Sequence, residues 1–256
     1  MGFLRDTGYL FLRLLRATLR MPVFVLISVV QPILWVLLFG QLFRSVTTIP
    51  GFGATNYVQF LAPGISIMTA LFGAAYSGMG LLADIDRGVL DRLLVTPVSR
   101  GALVAARILH SAVQVMVQAA IILLVAILLG ARPHGGLPGV LVVFLSAALL
   151  GAAFAGFSNA LALAARKQEL VIAAMNFIVL PSTFLSSMIM SRNLMPGWIR
   201  GVSRFNPVNW AVTAARDGFE GRAASEMALC LALLAGFALI CGLLATRSFN
   251  RYRRAM

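Results

Sequence analysis

Very few residues in this sequence could do chemistry, and their placement narrows what that chemistry is. One lysine occurs, Lys167, set in Ala-Ala-Arg-Lys-Gln. A P-loop needs Gly-Lys-Ser/Thr after a glycine-rich turn, because its lysine holds the nucleotide phosphates. Arg166 stands where that glycine should be, so the chain encodes no P-loop ATPase site of its own. Cys230 and Cys241 lie inside one apolar run, too far apart for a metal pair, and read as small core residues. His110 and His134 are too few for a His-rich metal site. The acids are Asp6, Asp84, Asp86, Asp91, Glu169, Asp217, Glu220 and Glu226, all outside the long apolar runs. Ion-coupled transporters usually hold ionisable groups inside their spans, so only His110, near the end of one run, speaks for that class. Gly156-Phe157-Ser158 has the opening of a serine-nucleophile turn, but Ala160 takes the place of its last glycine and no base accompanies it. A membrane-embedded enzyme therefore has little support.

The elements that carry these residues are set by composition. Of 256 residues, 60% are hydrophobic and 11% charged, with mean hydropathy +0.93. A soluble domain is nearer half apolar and a quarter charged, so too few charges remain to cover a water-facing surface. This is an integral membrane protein. The charges that exist are lopsided, 21 Lys+Arg against 8 Asp+Glu, a net +13. In a soluble chain that excess would suggest nucleic acid; between apolar runs it sets topology and touches anionic headgroups.

A spanning helix needs about 20 mostly apolar residues. Six runs qualify, roughly 22–42, 57–82, 103–129, 138–165, 170–190 and 227–246. The N-terminal stretch holds Arg5, Arg13, Arg16 and Arg20, and the C-terminal one holds Arg247, Arg251, Arg253 and Arg254. Both basic tails belong in the cytoplasm, which requires an even number of spans. The opposing signal is the 191–226 loop, with Arg192, Arg200, Arg204, Arg216 and Arg222. The start does not read as a cleavable signal peptide, because its basic stretch is long and its first apolar run is span-length. Residues 1–21 read as an amphipathic helix on the membrane surface, with Phe3, Leu10, Phe11, Leu14 and Leu15 entering lipid. Residues 22–246 form the spanning domain and 247–256 a basic tail.

Two segments are not simple spans. Residues 83–100 read Ala-Asp-Ile-Asp-Arg-Gly-Val-Leu-Asp-Arg-Leu-Leu-Val-Thr-Pro-Val-Ser-Arg. Asp84 and Asp86 can cap a helix start, Val89, Leu90, Leu93 and Leu94 make an apolar stripe, and Pro97 stops the helix. That stripe must be buried, either against lipid and the chain's own spans or against a cytoplasmic partner. The stretch 194–216 is too apolar for a free loop and too interrupted for a span. Trp198, Phe205 and Trp210 suit the membrane interface. Short re-entrant helices broken near Pro196 and Pro207, or an ordinary interfacial loop, both accommodate it.

At these two segments the chain resembles the permeases of the ABC-2 type exporter family, most of all the daunorubicin/doxorubicin-resistance type. The resemblance covers nearly the whole chain. It rests on Gly88-Val89-Leu90-Asp91-Arg92-Leu93-Leu94, on Thr96-Pro97-Val98-Ser99, and on Leu180-Pro181-Ser182-Thr183-Phe184-Leu185-Ser186 through Asn206-Pro207. The family usually carries Glu where this chain has Asp84, Asp86 and Asp91, one methylene shorter each. The resemblance implies an all-α integral membrane protein of the type V ABC exporter kind. It implies six transmembrane helices, an N-terminal interfacial helix, a cytoplasmic coupling helix at about 84–96 and re-entrant helices at about 191–222, before the sixth span. The coupling residues would be Asp84, Asp86, Arg87, Gly88, Leu90, Asp91, Leu93, Leu94, Thr96 and Pro97. Pro196, Trp198, Asn206, Pro207 and Trp210 would shape the re-entrant region.

By the same resemblance two permease halves, alike or different, join two ABC ATPase subunits. ATP and Mg would sit in the ATPase, and no cofactor in this chain. The setting would be a bacterial inner membrane, both termini cytoplasmic, with no nucleic acid involved. The substrate would be a lipophilic or amphipathic small molecule such as a drug; a lipid or polysaccharide precursor is the alternative. In such exporters the path lies between the two permeases, bordered by the second and fifth spans. Here those spans offer Met68, Phe72, Tyr76 and Met79, and Met175, Asn176, Phe177, Phe184 and Met188. Met and aromatic side chains make adaptable surfaces, though each is equally suited to helix packing. Ser111, Gln114 and Gln118 form a polar stripe on the third span, fit for hydrogen bonds between helices or for substrate.

Overall fold

In lipid an apolar run satisfies its backbone N–H and C=O groups only by coiling on itself. Every regular element among the described residues is accordingly helical. The structure, a computed structural model, describes residues 2–43, 45, 56–94, 99–222 and 224–254. In chain order these form α1 (Phe3–Leu19), α2 (Pro22–Leu42), α3 (Tyr57–Ala75), α4 (Ser77–Asp86), α5 (Val89–Leu94), α6 (Arg100–Leu128), α7 (Gly136–Ala165) and α8 (Gln168–Phe184). A 3-10 turn (Arg192–Leu194) then leads to α9 (Gly197–Ser203), α10 (Pro207–Glu220) and α11 (Ala224–Arg254).

The starts of these helices follow local chemistry. Asn56 and Asn206 each accept the N–H two residues on, from Val58 and Val208, at 2.9 Å. Ser99 Oγ accepts from Ala102 N at 3.2 Å. Each side chain occupies a donor that the first helical turn leaves unmet. Pro22 and Pro207 open α2 and α10, where a missing N–H costs nothing.

Among the described residues four helical stretches are long and apolar enough to cross a membrane: Tyr57–Asp86, Gly101–Leu128, Gly136–Ala165 and Ala224–Tyr252. Leu26–Leu42 and Gln168–Phe184 are apolar but shorter. Four boundaries differ markedly from the sequence expectation. The second run continues past Leu82 to Asp86, interrupted only at Tyr76 between α3 and α4. Asp84 and Asp86 therefore end a helix rather than start one, and α5 begins only at Val89 because Gly88, at φ 64°, turns the chain before it. The fifth run leaves the helix at Phe184, where residues 185–191 bend instead of continuing to Met190. The last helix runs on through the basic residues to Arg254.

α7 is the hub, packing on α3, α6, α10 and α11. α3 lies inside, most of its residues buried, whereas α11 turns most of its surface outward. Close helix approach depends on glycine. A Cβ on Gly78 would strike the Ser158 backbone, and one on Gly151 would lie 2.9 Å from Val115 Cγ2. A Cβ on Gly156 would lie 3.1 Å from the Cys241 backbone, while one on Gly80 would face open space. The crossing of α7 and α10, where Gly135 and Gly139 both press on Gly218, carried no sequence signal. α1 departs from a purely lipid-facing helix: Leu10 is buried against Ala102, Leu103 and Ala106 of α6, with Phe11 and Leu93 packed on the same cluster.

A candidate substrate cavity and docking segment

Four helices border a partly open cavity of about 530 Å³, within the range of pockets that hold drug-sized ligands. α3 supplies its longest wall. Ile65, Met68, Thr69, Phe72, Gly73 and Tyr76 line it, spaced three and four residues apart on one helical face. Trp35 and Gln31 come from α2, Gln114 and Gln118 from α6, and Thr183 and Phe184 from α8. Pro32, inside α2, also lines the space.

Met68, Phe72, Tyr76 and Phe184, expected along a path, converge here. Asn176 joins indirectly: Tyr76 OH donates to its Oδ1 at 2.5 Å, tying α3 to α8. The other expected path residues do not line the cavity. Met175 and Met188 are fully buried core, Met79 is half-buried on α4, and Phe177 is 82% exposed on the outer face of α8. Sequence reasoning placed the first span at 22–42 but missed its part in the cavity wall, although Gln31 and Pro32 interrupt the apolar run there. The Gln114–Gln118 stripe proves to be cavity wall, with Gln118 Nε2 also donating to Ser28 Oγ at 3.2 Å.

The 84–94 segment is fastened to the body of the chain. Asp84 accepts from Arg13 of α1 at 3.2 Å and from Arg107 of α6. Nearby, Thr18 of α1 and His110 of α6 share a hydrogen bond at 2.9 Å. Leu90 is fully buried in the main core, and Leu93 packs against the Leu10 cluster. Much of the apolar stripe is thus consumed by the chain's own helices, leaving Asp86, Arg87 and Arg92 exposed. Gly88 sits between α4 and α5, and Asp91 and Leu94 lie in α5 by backbone position. Thr96 and Pro97 fall outside the described residues.

The bent 185–191 stretch is held by polar side chains from α10 and its cap. Asn206 Nδ2 donates to Ser182 O at 2.7 Å and to Leu185 O at 3.1 Å. Asn209 Oδ1 accepts from Ser187 N at 2.9 Å. Arg216, 6% exposed, donates to Ser187 O at 2.9 Å and Met188 O at 3.3 Å, with its guanidinium 3.8 Å from the Phe60 ring centre. Buried non-helical backbone needs such partners. Pro196 caps α9, Trp198 is exposed, and Trp210 Nε1 donates to Arg204 O at 2.7 Å. Of the side chains that hold the bent stretch only Asn206 was singled out from the sequence; Asn209 and Arg216 signalled themselves only as polar residues between apolar ones.

Several arginines of the 191–226 loop are also occupied. Arg192 pairs with Glu226 at 3.2 Å, Arg222 with Glu220 at 2.5 Å, and Arg200 donates to the carbonyls of Asn193 and Met195. They carry less free positive charge than the sequence suggests.

A family model described as ABC-2 type transporter matches residues 5–219. A daunorubicin resistance ABC transporter permease, DrrB1 of Streptomyces coeruleorubidus, is 28% identical over 239 residues, covering 93% of this chain and 83% of that protein. A putative transport permease, ycf38 of Cyanophora paradoxa, is 31% identical over 217 residues, 84% of this chain and 74% of its own. A probable doxorubicin resistance ABC transporter permease, DrrC of Mycobacterium tuberculosis, is 27% identical over 241 residues, 93% of this chain and 86% of its own.

Proposed function

This chain belongs to the ABC-2 type transporter family, and we propose that it forms the membrane half of an exporter that expels a lipophilic small molecule. Members of the family are the transmembrane subunits of ABC transporters, with the ATPase on a separate chain. The observation that carries the substrate class is the cavity: about 530 Å³, walled by apolar and aromatic side chains from α2, α3 and α8 with a few amides. Relatives named for daunorubicin and doxorubicin resistance point the same way.

In this reading α2, the α3–α4 rod, α6, α7, α8 and α11 are the six spans, and both termini face the cytoplasm of a bacterial inner membrane. α9 and α10 re-enter from the outer side. Two permease halves pair with two ATPase subunits, which contact Asp86, Arg87 and Arg92 beside α5. The pairing of Arg192, Arg200 and Arg222 within the outer loop lessens the conflict with the positive tails.

The test begins with affinity purification of the full chain from its native membranes, followed by mass spectrometry. A nucleotide-binding subunit is expected in the complex. Inverted vesicles carrying both should accumulate daunorubicin when given ATP. Recovery without any such subunit, or uptake that follows an ion gradient in the absence of ATP, overturns the reading.

A further inference from the structure

α11 keeps one face clear of the rest of the chain. Leu229, Leu233, Ile240, Leu243 and Leu244 are exposed on it, while Leu234, Cys241, Ala245, Phe249 and Tyr252 are buried. The exposed positions recur three and four residues apart, so they share one side of the helix. Continued at the same spacing, that side reaches Arg247 and Arg251, both exposed. Leu229 and Arg247 lie about 27 Å apart along the axis, close to the roughly 30 Å of a bilayer's hydrocarbon. With lipid tails over the leucines, the two guanidiniums stand at headgroup level.

Packing brings two more cations to the same end. α7 and α11 run side by side, Phe154 against Phe237 and Gly156 against Cys241. A similar offset sets Arg166, at the end of α7, over Tyr252, its guanidinium carbon 4.8 Å from the ring centre. Tyr252 directly follows Arg251. Arg166 and its neighbour Lys167 are exposed. Among the described residues Arg166 is the one residue other than glycine with positive φ, at 52°. Glycine ends a helix in that conformation at less cost, so an arginine held there signals a use for its side chain. The acids at this end are Asp86 and Glu169, both exposed. Among the described residues none of the four cations is ion-paired.

We propose that the ends of α7 and α11 hold the headgroup of an anionic phospholipid. Arg166, Lys167, Arg247 and Arg251 meet its phosphate, and its acyl chains lie on the leucine face of α11. Guanidinium forks match phosphate oxygens, and basic clusters at a membrane surface attract anionic lipid. Lipid is favoured over an acidic protein because the basic end continues an apolar face of hydrocarbon length. The site depends on α7 and α11 crossing a bilayer and not on what the chain transports.

The test uses the delipidated full chain in a neutral detergent, titrated with cardiolipin or with phosphatidylcholine and read by native mass spectrometry. Cardiolipin is expected to bind about tenfold more tightly or better. Each cation at a membrane surface is worth about fivefold. Arg247→Gln/Arg251→Gln should therefore weaken cardiolipin binding about 25-fold and leave phosphatidylcholine within about twofold. Arg16→Gln/Arg20→Gln removes equal charge from exposed positions of α1 and should weaken it by less than about threefold. Arg166→Gly should weaken it about fivefold. Glycine suits that backbone position, so this variant judges the site even if the double variant does not fold. Equal binding of the two lipids, equal losses from the α1 and α11 pairs, or full cardiolipin affinity in Arg166→Gly overturns the proposal. Undiminished cardiolipin binding by the α11 pair, with loss of a co-purified ATPase subunit, also overturns it and gives this end to a protein partner.

Discussion

Replacing Arg216 with alanine removes a guanidinium that donates to Ser187 O and Met188 O and lies over Phe60. Each buried carbonyl that loses its donor costs about 1–3 kcal/mol. A desolvated cation over an aromatic ring adds about 2 kcal/mol. Against these stands the penalty of keeping a cation at 6% exposure, which its loss relieves. The net is a loss of about 3–5 kcal/mol, the range seen when one partner of a buried charged arrangement is deleted. At about 2–4 °C per kcal/mol for a chain of this size, melting should fall by about 6–20 °C. A convenient assay follows thiol labelling on heating, since Cys230 and Cys241 are both buried and become reactive only as the fold opens. Arg204→Ala on the exposed end of α9 is the control and should change stability by less than about 0.5 kcal/mol. An Arg216→Ala protein melting with the control would refute the role assigned to Arg216 in holding residues 185–191.

Three further substitutions probe other parts of the structure. Gly139→Ala drives a Cβ into the Gly218 backbone, which cannot rotate aside, so a loss of about 1–3 kcal/mol or more is expected; Gly80→Ala, facing open space, should be neutral or gain up to about 1 kcal/mol, and fluorescence size-exclusion with thermal challenge compares them. Asp84→Ala strands the nearly buried Arg107 and should destabilise by about 3 kcal/mol, whereas Arg13→Ala, at a 40% exposed side chain, should cost under about 1 kcal/mol; hydrogen exchange across residues 3–19 should rise much more in the first variant. Phe72→Ala and Asn176→Ala should alter drug resistance in cells without lowering membrane expression, and unchanged profiles in both would count against the cavity as part of the path.

The apolar helices were legible because they depend on local quantities: about twenty apolar residues coil into a helix in lipid wherever they pack. Helix starts were less so, since Asn56, Ser99 and Asn206 supply the caps whereas the sequence pointed to Asp84 and Asp86. The faces of the spans were not legible. Met175 and Phe177 lie two residues apart in equally apolar sequence, yet one is fully buried and the other 82% exposed. Lipid and protein interior reward the same side chains, so periodicity cannot separate them. Leu10 shows the same ambiguity, seated on α6 instead of in lipid. Arg216 and Asn209 were opaque for another reason: their partners are backbone atoms of residues 187–188, and a carbonyl leaves no mark on a sequence pattern.

The break at Tyr76 divides a thirty-residue rod into two unequal arms. The shorter arm, α4, has ten residues and a length of about 15 Å. Its far end bears Asp84, clamped to α1 and α6, and leads into α5. Its pivot is a residue that also forms part of the cavity wall and reaches across to Asn176. Ten degrees of rotation about that pivot moves the far end by about 2.6 Å. A modest displacement at the α5 end therefore turns the very side chain that joins α3 to α8, so leverage and enclosure meet at one tyrosine.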